Sequence, residues 1–394
     1  MINLQERIAL NKQKILIVSR WYSPVNNPRA FRTTELLKEL IKRQKYDISV
    51  ILPSFADIDN DMVHAIFLPT VSIPQEYITE NSNGNFTWQH KVIEKIRQLV
   101  RFFLGESLGT IIYAMHVYFA LKKLVKNHKY DVVISISYPF SVHIAVALAT
   151  MKIGVQTVKI ADCGDPFYDN PAYKKASYLK WVEKKILQCF DYVAIPVKDA
   201  KKSYADYGIE KKLRAIPQGF VLEKIATGTY KQNIVPTFCF AGVFYEKIRN
   251  PEYFLEYLSG IKNNFLFIVY ALPDAFTQEI LTTYKKKLGN KLEIRKAVPR
   301  KGLIHIMAKM DFVLNFDNEN NNQRPSKLID YAMSKRPILS FNSKTFEPAI
   351  FEEFLRGNYS RKEQIDLTQY DIRNVVDKFE ILFNRNDYKR GELI

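Results

Sequence analysis

A polar stretch in the C-terminal third of the chain carries the side chains best suited to chemistry. Residues 317–323 are all amides or carboxylates, and Pro325 follows at a position that suits the first turn of a helix. The apolar residues of 328–333 recur at three- and four-residue steps, which predicts a short helix. The N-terminus of such a helix favours a phosphate group, because it carries unpaired N–H groups and a partial positive charge. Lys327 and Asp330, three residues apart, are expected on one face of this helix.

The segment that begins at Pro325, PSKLIDYAMSKRPIL, resembles the P-x-K-x-x-E-Y-x-A-x-G-x-P stretch of retaining family-four glycosyltransferases with the GT-B fold. The resemblance implies that Asp330 binds the ribose hydroxyls of a nucleotide-sugar donor and that Lys327 acts catalytically on the leaving group. It also implies that four residues before and at the start of the helix contact the donor: Asn322, Arg324, Pro325 and Ser326. A UDP-sugar or a GDP-sugar is the expected substrate.

The chain departs from the family pattern at three positions. Where the family has two glutamates separated by seven residues, this chain has Asn322 and the shorter Asp330, and Arg336 replaces a usual glycine. The resemblance therefore supports a donor site more firmly than it supports particular contacts to the sugar ring.

A glycine and two cations further upstream are candidates for holding the donor diphosphate. The predicted strand 237–242 ends at Gly242, and glycine permits close approach of a ligand to the backbone. Relatives place an arginine and a lysine in the loop that follows, which implies a catalytic role for Arg249 and a donor-binding role for Lys247. A solvated loop charge is the simpler alternative. No metal is expected if such cations stabilise the departing nucleoside diphosphate.

A strand–helix–strand pattern in the first half of the chain predicts a doubly wound parallel sheet. Ligands bind at the C-terminal ends of the strands in such a sheet. Strands are predicted at 14–19, 48–52, 131–137, 157–161 and 192–196, a helix at 29–44, and irregular structure at 54–90.

Four polar residues lie where this sheet would bind a ligand. The sequence DCGDPF after the strand at 157–161 resembles a D-x-R-D-P-W stretch that borders the acceptor site in some relatives. The resemblance implies that Asp162 faces the acceptor and that Asp165 takes part in catalysis, whereas the simpler alternative is that Asp165 caps a turn. Tyr138, after an earlier strand, and Arg29, at a helix start, are assigned to the acceptor side. A solvated helix start explains Arg29 equally well.

Two domains are predicted, because 394 residues exceed one typical domain. The expected fold is α/β of the GT-B type, with two Rossmann-like, doubly wound domains that face a central cleft. The acceptor-side domain is predicted at 1–221, a linker at 222–236 and the donor domain at 237–370. Residues 371–394 are expected to form a helix that crosses back to the first domain.

The net charge of +17 is concentrated in the first part of the chain. Residues 1–220 carry 31 basic and 20 acidic residues (+11), and residues 221–394 carry 27 and 21 (+6). Phosphorylated substrates, an anionic membrane surface or nucleic acid would each explain the excess. No nucleic-acid module is recognised, so nucleic acid is not an expected partner. The first predicted strand lacks a Gly-x-Gly-x-x-Gly sequence after it, which argues against a dehydrogenase.

Residues 88–127 mix apolar and basic side chains and predict two successive helices. In a membrane interface, Phe102 and Phe103 would enter the lipid. The head groups would then contact four basic residues: Lys91, Lys95, Arg97 and Arg101. The alternative is that the apolar faces of both helices pack in the core. No run of eighteen uncharged apolar residues exists, so no membrane span is predicted.

Cysteine usage and the N-terminal sequence predict a cytoplasmic protein. The three cysteines form no Cys-x-x-Cys pair, which indicates a reducing compartment and no zinc site. No signal-peptide pattern is present. If the helices of 88–127 bind lipid, the protein is peripheral on the inner face of the plasma membrane.

The predicted function is retaining transfer of a sugar from a nucleotide-sugar donor to a glycan or lipid-linked acceptor. Bacterial surface polysaccharide synthesis (capsule, O-antigen or exopolysaccharide) is the pathway that the resemblance suggests. The alternative is a catalytically weak GT-B homologue that serves as a nucleotide-sugar-binding or assembly subunit, because Asn322 replaces the first glutamate.

Overall fold

The computed structural model describes residues 12–25, 27–58, 61–70, 88–151, 156–170, 174–222, 228–246, 249–271, 274–317 and 327–384, with the backbone alone for 88–94. The chain divides into two units. Met1–Val221 and Asp371–Ile394 form the first domain, and Leu222–Tyr370 forms the second.

A seven-stranded parallel sheet organises the first domain. Its strands are β1 (Gln13–Ser19), β2 (Tyr46–Pro53), β3 (Val63–Leu68), β4 (Val132–Ile136), β5 (Val158–Asp162), β6 (Tyr192–Ile195) and β7 (Leu213–Ala215). They lie in the order β3-β2-β1-β4-β5-β6-β7, and every neighbouring pair is parallel. Residues 15–18 of β1 are fully buried, as expected for a parallel sheet that is covered on both faces.

Helices cover both faces of this sheet. They are α1 (Pro28–Arg43), α2 (Trp88–Leu104), α3 (Leu108–Asn127), α4 (Ser141–Thr150) and α5 (Tyr178–Gln188), with 3-10 helices at Lys198–Tyr207 and Glu210–Lys212. The helix α1 begins at Asn27, whose side chain accepts a hydrogen bond from the Ala30 amide at 2.7 Å. This N-cap satisfies a helix-start donor and sets where α1 begins.

The second domain is built on a five-stranded parallel sheet. Its strands are β8 (Thr237–Gly242), β9 (Leu266–Ala271), β10 (Leu292–Lys296), β11 (Phe312–Phe316) and β12 (Ile338–Phe341). Its helices are α6 (Glu252–Gly260), α7 (Ala275–Leu288), α8 (Arg300–Met307), α9 (Lys327–Met333) and α10 (Pro348–Leu355), with 3-10 helices at Gly289–Lys291 and Leu367–Tyr370. The strand order is β10-β9-β8-β11-β12, all parallel.

The core of the second domain is rich in phenylalanine. Phe238 of β8 stacks on Phe312 of β11 with ring centroids 4.7 Å apart, and Phe254 of α6 packs edge-on against Phe316 at 5.6 Å. Aromatic pairs of this geometry add stability beyond the area they bury. The packed rings fix β8, β11 and α6 relative to each other, and these elements carry the candidate donor site.

The last helix, α11 (Ile372–Leu382), belongs to the first domain. It packs against α1, where Arg43 forms ion pairs with Asp377 at 2.6 Å and Glu380 at 2.8 Å. The Ile372 amide donates to the carbonyl of Phe220 at 2.9 Å. The end of the described chain is thus anchored to the end of the first 221 residues.

The structure confirms the predicted strands and the two helices of 88–127, but irregular structure throughout 54–90 was wrong. β3 lies in that stretch and pairs in parallel with β2. It is an edge strand in which no residue is fully buried, although its sequence VHAIFL is apolar except for His64. The apolar run alone is too short to show that the segment pairs with β2.

Among the described residues, α3 is the helix that is long and apolar enough to cross a membrane by length and composition. Lys122 and Lys123 interrupt its apolar sequence, so α3 contains no run of eighteen uncharged apolar residues. One face of α3, with Tyr113, Val117 and Leu121, packs in the core of the first domain.

Candidate functional site

The start of α9 is held against the end of β8 in the second domain. The hydroxyl of Tyr331 accepts from the Ala241 amide at 3.2 Å and donates to the Ala241 carbonyl at 3.1 Å. The Lys327 ammonium donates to that same carbonyl at 3.0 Å. These bonds place the first residue of the helix beside Gly242, at the carboxyl edge of the sheet where parallel folds bind ligands.

Gly242 is required here for a steric reason. A Cβ atom at this position would lie 1.9 Å from Nζ of Lys327, and its φ of 152° is one that other residues rarely adopt. The absence of a side chain allows the lysine to lie directly over the strand end. Gly242 and Lys327, both predicted as site residues, are therefore neighbours in the structure.

Lys327 lies within electrostatic reach of Arg249. Burial and, to a smaller extent, the positive charge of Arg249 lower the pKa of Lys327 to about 8, and the negative charge of Asp330 opposes this shift. Within the described part of the chain Lys327 forms no ion pair, and its hydrogen bond is to a neutral carbonyl. Burial also lowers the pKa of the Arg249 guanidinium, which lies 5.9 Å from the ring centroid of Tyr245. Two desolvated cations, one of which lowers the pKa of the other, favour an anionic ligand.

An open pocket with an empty volume of about 180 Å³ lies beside Arg249. It is lined by Arg249, Asn250, Tyr253, Phe316, Asp317, Asn342 and Ser343. Most of these residues end or follow β11 and β12, so the pocket opens at the same carboxyl edge as Gly242.

Asp330 has one oxygen in an ion pair and one that accepts no hydrogen bond from a described residue. Arg300, the first residue of α8, donates through Nε to Oδ1 of Asp330 at 2.7 Å. Burial raises the pKa of the Asp330 carboxyl, and the positive charge of Arg300 opposes that rise. The side chain of Asp330 is 20% exposed, so its second oxygen is accessible to a hydroxyl donor. Arg300 was not among the predicted site residues, because its ion pair with Asp330 joins positions thirty residues apart.

Five predicted donor-site residues lie outside the described residues: Lys247, Asn322, Arg324, Pro325 and Ser326. Their roles stay predictions.

In the first domain, Asp162 is fully engaged by two arginines. Arg32 donates through Nε to Oδ2 at 2.9 Å and through Nη2 to Oδ1 at 3.1 Å, and Arg29 donates to Oδ2 at 3.0 Å. Burial alone would raise the pKa of Asp162, but the two guanidinium groups outweigh it and hold the pKa below its usual value. Arg32 also donates to the carbonyls of Pro217 and Ile216. The cluster ties β5, α1 and the segment after β7 together.

The other predicted acceptor-side residues lie at the same edge of the first sheet. Arg29 keeps its Nε buried without a hydrogen-bond partner, and Gly164 leaves room for its side chain, since a Cβ there would lie 3.0 Å from it. Asp165 and Tyr138 are exposed. Arg20, which was not among the predicted site residues, is buried at the end of β1, where it donates to Thr70 at 3.0 Å.

The N-terminus of α4 at this edge is already occupied. The buried carboxylate of Glu106 accepts hydrogen bonds from the amides of Phe140 and Ser141. Burial raises the pKa of Glu106, and these hydrogen bonds oppose the rise. Among the described residues, no group of three or more His, Cys, Asp or Glu side chains has a metal-binding arrangement.

Comparison with known proteins places this geometry in context. Residues 32–224, just under half of the chain, match the model of Glycosyltransferase Family 4. A search of the curated proteins finds no match.

Solved structures match over nearly the whole chain. The lipopolysaccharide outer core galactosyltransferase WaaB is 11% identical, with 97% of this chain and 100% of that chain covered and a TM-score of 0.54. HepE from Anabaena, solved with UDP, is 11% identical, with 93% and 98% covered and a TM-score of 0.56. The UDP-forming trehalose-phosphate synthase from Burkholderia xenovorans is 10% identical, with 95% and 99% covered and a TM-score of 0.56. The predicted GT-B fold and the family-four resemblance are confirmed.

Proposed function

We propose that this protein, a glycosyltransferase with the GT-B fold, moves a sugar from a nucleotide-sugar donor to a glycan or lipid-linked acceptor, with retention of the anomeric configuration. One observation carries the proposal. At the carboxyl edge of the second sheet, Lys327 lies by Gly242 and is repelled by the positive charge of Arg249, and the short helix that Lys327 begins also carries Asp330, which has an accessible oxygen.

The two cations suit the departure of a nucleoside diphosphate. In the transfer, the bond between the anomeric carbon and the β-phosphate oxygen breaks, and the diphosphate leaves with the electron pair. A new bond forms from the anomeric carbon to an acceptor hydroxyl oxygen, which loses its proton. Negative charge grows on the leaving group, and Lys327 and Arg249 are positioned to stabilise it. The ammonium of Lys327 donates to a neutral carbonyl and forms no ion pair with a described residue, so a phosphate oxygen would give it a directly bonded anion.

Asp330 suits the ribose of the donor. Arg300 occupies Oδ1 and orients the carboxylate, which leaves Oδ2 to accept hydrogen bonds from ribose hydroxyls. Hydrogen bonds to an ionised carboxylate are about twice as strong as neutral ones. HepE is solved with UDP and the trehalose-phosphate synthase is UDP-forming, so we propose a UDP-sugar first and a GDP-sugar second.

We further propose that transfer needs no metal ion, because the two cations neutralise the leaving group. Activity that is unchanged by a chelator would support this, and activity that is lost with the chelator and restored by a divalent cation would contradict it.

Thermal stabilisation by a panel of nucleotide sugars tests the donor site. We expect a UDP- or GDP-sugar to raise the melting temperature of the wild type, and Asp330→Ala to lower affinity for that donor by at least about tenfold. Asp330→Glu, which restores the residue that is commoner in the family, should retain most of the affinity. Glu293→Gln is the matched control, since Glu293 also pairs with one arginine in this domain (Arg295, 2.8 Å) but lies on β10. Unchanged affinity in Asp330→Ala would remove this residue from the site.

The reaction and its pathway can be identified only from a characterised product. The similarity to a lipopolysaccharide galactosyltransferase supports surface polysaccharide synthesis as the pathway to test first. Nuclear magnetic resonance of the product would show whether the new bond keeps the anomeric configuration of the donor; inversion would contradict the retaining mechanism. A protein that binds a nucleotide sugar and never transfers it to any acceptor would instead be a binding subunit.

A further inference from the structure

The described side chains of α2, from Lys95 to Leu104, lie outside the core of the first domain. None of its side chains from Lys95 to Leu104 is buried, and the apolar residues Ile96, Leu99 and Phe103 are all exposed. Their spacing of three and four residues puts them in one stripe along the helix. Helices in proteins gain most of their stability by packing an apolar face, so this stripe lacks its partner in the described structure.

The helix α3 has a second apolar face that points away from the core. Its inner face packs on the sheet through Tyr113, Val117 and Leu121. Four further apolar residues are exposed at a helical spacing: Leu108, Ile112, Met115 and Phe119. Phe119 is 63% exposed. An apolar helix with only one face buried presents the other face to whatever surrounds the protein.

Two aromatic residues of α5 extend this surface. Tyr178 donates a hydrogen bond to the carbonyl of Phe103, and the Ala176 amide donates to the carbonyl of Phe102 at 3.0 Å, so the start of α5 is fixed to the end of α2. Tyr178 and Trp181 are exposed, Trp181 by 61%. Tyrosine and tryptophan are the residues that concentrate at membrane–water interfaces.

The charge around these residues is predominantly positive, and the exposed Asp206 pairs with one of the basic residues, Lys180, at 3.4 Å. Between positions 95 and 127 the sequence has six basic residues and one acidic residue, Glu106, which is buried and hydrogen-bonded to backbone amides. Between 174 and 188 it has five basic residues and one acidic residue, Glu183, which is also buried and accepts from the amides of Phe167 and Tyr168. Both carboxylates are buried and bonded to backbone amides, so they do not lie among the basic side chains of the surface.

We propose that the outward faces of α2 and α3, with Tyr178 and Trp181 of α5, form a docking face for an anionic lipid bilayer. The apolar stripes enter the acyl boundary, the aromatic residues lie at head-group level and the basic side chains contact anionic lipids. The helix α3 lies in the interface and does not span the bilayer, because its inner face is packed in the domain.

The docking face also deepens the proposed function, on which this step rests, because it favours a lipid-linked acceptor. Tyr113, on the inner side of α3, donates to the carbonyl of Ser19 at 2.7 Å, and its ring lies 5.3 Å from the guanidinium of Arg20. Both contacts are at the carboxyl end of β1, on the edge where this domain is expected to bind its acceptor. The bilayer and the acceptor edge are thus separated by one helix.

Vesicle flotation with the full chain tests the docking face. We expect binding to vesicles of 70% phosphatidylcholine and 30% phosphatidylglycerol and at least tenfold weaker binding to phosphatidylcholine alone. Raising the salt from 0.1 to 1 M should weaken the binding, because screening shortens from about 10 to about 3 Å. Indifference to both vesicle types at low salt would overturn the proposal.

Variants locate the surface that binds. Phe103→Ser with Phe119→Ser should weaken vesicle binding at least tenfold and leave the melting temperature unchanged, because both rings are exposed. Lys95→Gln with Lys123→Gln should weaken it about fivefold for each charge removed. Ile234→Ser, at a fully exposed apolar residue of the second domain, is the matched control and should bind as the wild type does. Equal loss in that control, or none in the double phenylalanine variant, would contradict the assignment.

Two further measurements separate the outcomes. Sedimentation velocity detects a second copy of the chain on the same face: a dimer that Phe103→Ser with Phe119→Ser converts to a monomer, without vesicle binding by either form, would overturn the bilayer proposal. Stabilisation by UDP reports the donor site alone. Vesicle binding without stabilisation by any nucleotide would leave the docking face standing while the donor proposal fails, and the reverse would show the docking face to be wrong.

Discussion

Asp162 and Asp330 are both aspartates that the sequence placed in the active site, and the structure gives them opposite surroundings. Asp162 is 2% exposed, accepts from two arginines through both oxygens, and has its pKa held below the usual value by those charges. Asp330 is partly exposed, is bonded to one arginine through one oxygen, and has its pKa raised by burial. Both oxygens of Asp162 are hydrogen-bonded within the fold, whereas Oδ2 of Asp330 can still accept a hydrogen bond from a ligand.

The comparison shows that a strand-end carboxylate is not by itself a ligand-binding group. Asp162 neutralises Arg32, which is almost fully buried, and together they connect three segments of the first domain. A buried charge requires a partner, so this role competes directly with contact to an acceptor. Asp330 lies on a helix that begins at the sheet edge, where water and ligands have access. The four predictions that follow test this contrast, from the largest expected effect to the smallest.

The largest effect is expected for Asp162→Ala. It leaves Arg32 buried without its counter-charge, which costs about 3–5 kcal/mol in the free energy of unfolding. Thermal and denaturant unfolding followed by circular dichroism measure this cost. Asp165→Ala, three residues further along and exposed, is the control and should change stability by less than about 0.5 kcal/mol. If both variants unfold like the wild type, Asp162 is available for substrate after all.

Lys327→Met should separate activity from stability. Loss of the cation that faces the leaving group is expected to lower kcat by about 10²–10³-fold, the range for removing one oxyanion-stabilising donor. The melting temperature should not fall, because burial and the positive charge of Arg249 both disfavour the protonated form of Lys327. Removing this charge therefore removes an unfavourable interaction from the folded state. Steady-state kinetics and calorimetry on the same preparation test both parts. A large drop in melting temperature with kcat intact would make Lys327 structural.

The affinity for UDP should depend on pH through Lys327. Its pKa of about 8 means that the free protein loses this positive charge as the pH rises through 8, whereas a bound diphosphate stabilises the protonated form. Affinity is therefore expected to be constant below pH 7 and to fall by up to about tenfold per pH unit above 8. Titration calorimetry between pH 6.5 and 9 measures this slope. Lys327→Met is the control, and a slope that persists in it would point to another group.

The smallest effect is expected for Arg300→Gln. The ion pair with Asp330 is partly exposed on the arginine side, and such pairs contribute about 0.2–1 kcal/mol. UDP affinity should fall by less than about fivefold, since Oδ2 of Asp330 remains available and only its orientation is loosened. Calorimetric titration with UDP compares the affinity of Arg300→Gln with that of Asp330→Ala. A loss as large as that of Asp330→Ala would transfer the main binding role to Arg300.

Much of the fold could be predicted from local sequence. The central strands are continuous apolar runs and the helices show three- and four-residue apolar spacing, so each element is encoded within its own residues. β3 was not predicted, because only its pairing with β2 identifies this short segment as an edge strand. Gly242 and Lys327 were both predicted, and their contact follows from the docking of α9 on β8 through Tyr331.

The sequence by itself identified the chemistry: a glycine at a strand end, cations, and an acidic residue one turn into a short helix. Only the tertiary structure decided which of these groups are already occupied. Arg300 with Asp330, and Arg32 with Asp162, are partners separated by 30 and 130 residues. The tertiary structure also decided the environment of Phe103 and Phe119. Their apolar spacing fits a core helix as well as an interface helix, and their exposure shows that they do not pack in the core. Spacing along a chain sets which face a residue occupies, whereas burial and charge pairing depend on distant segments that folding brings together.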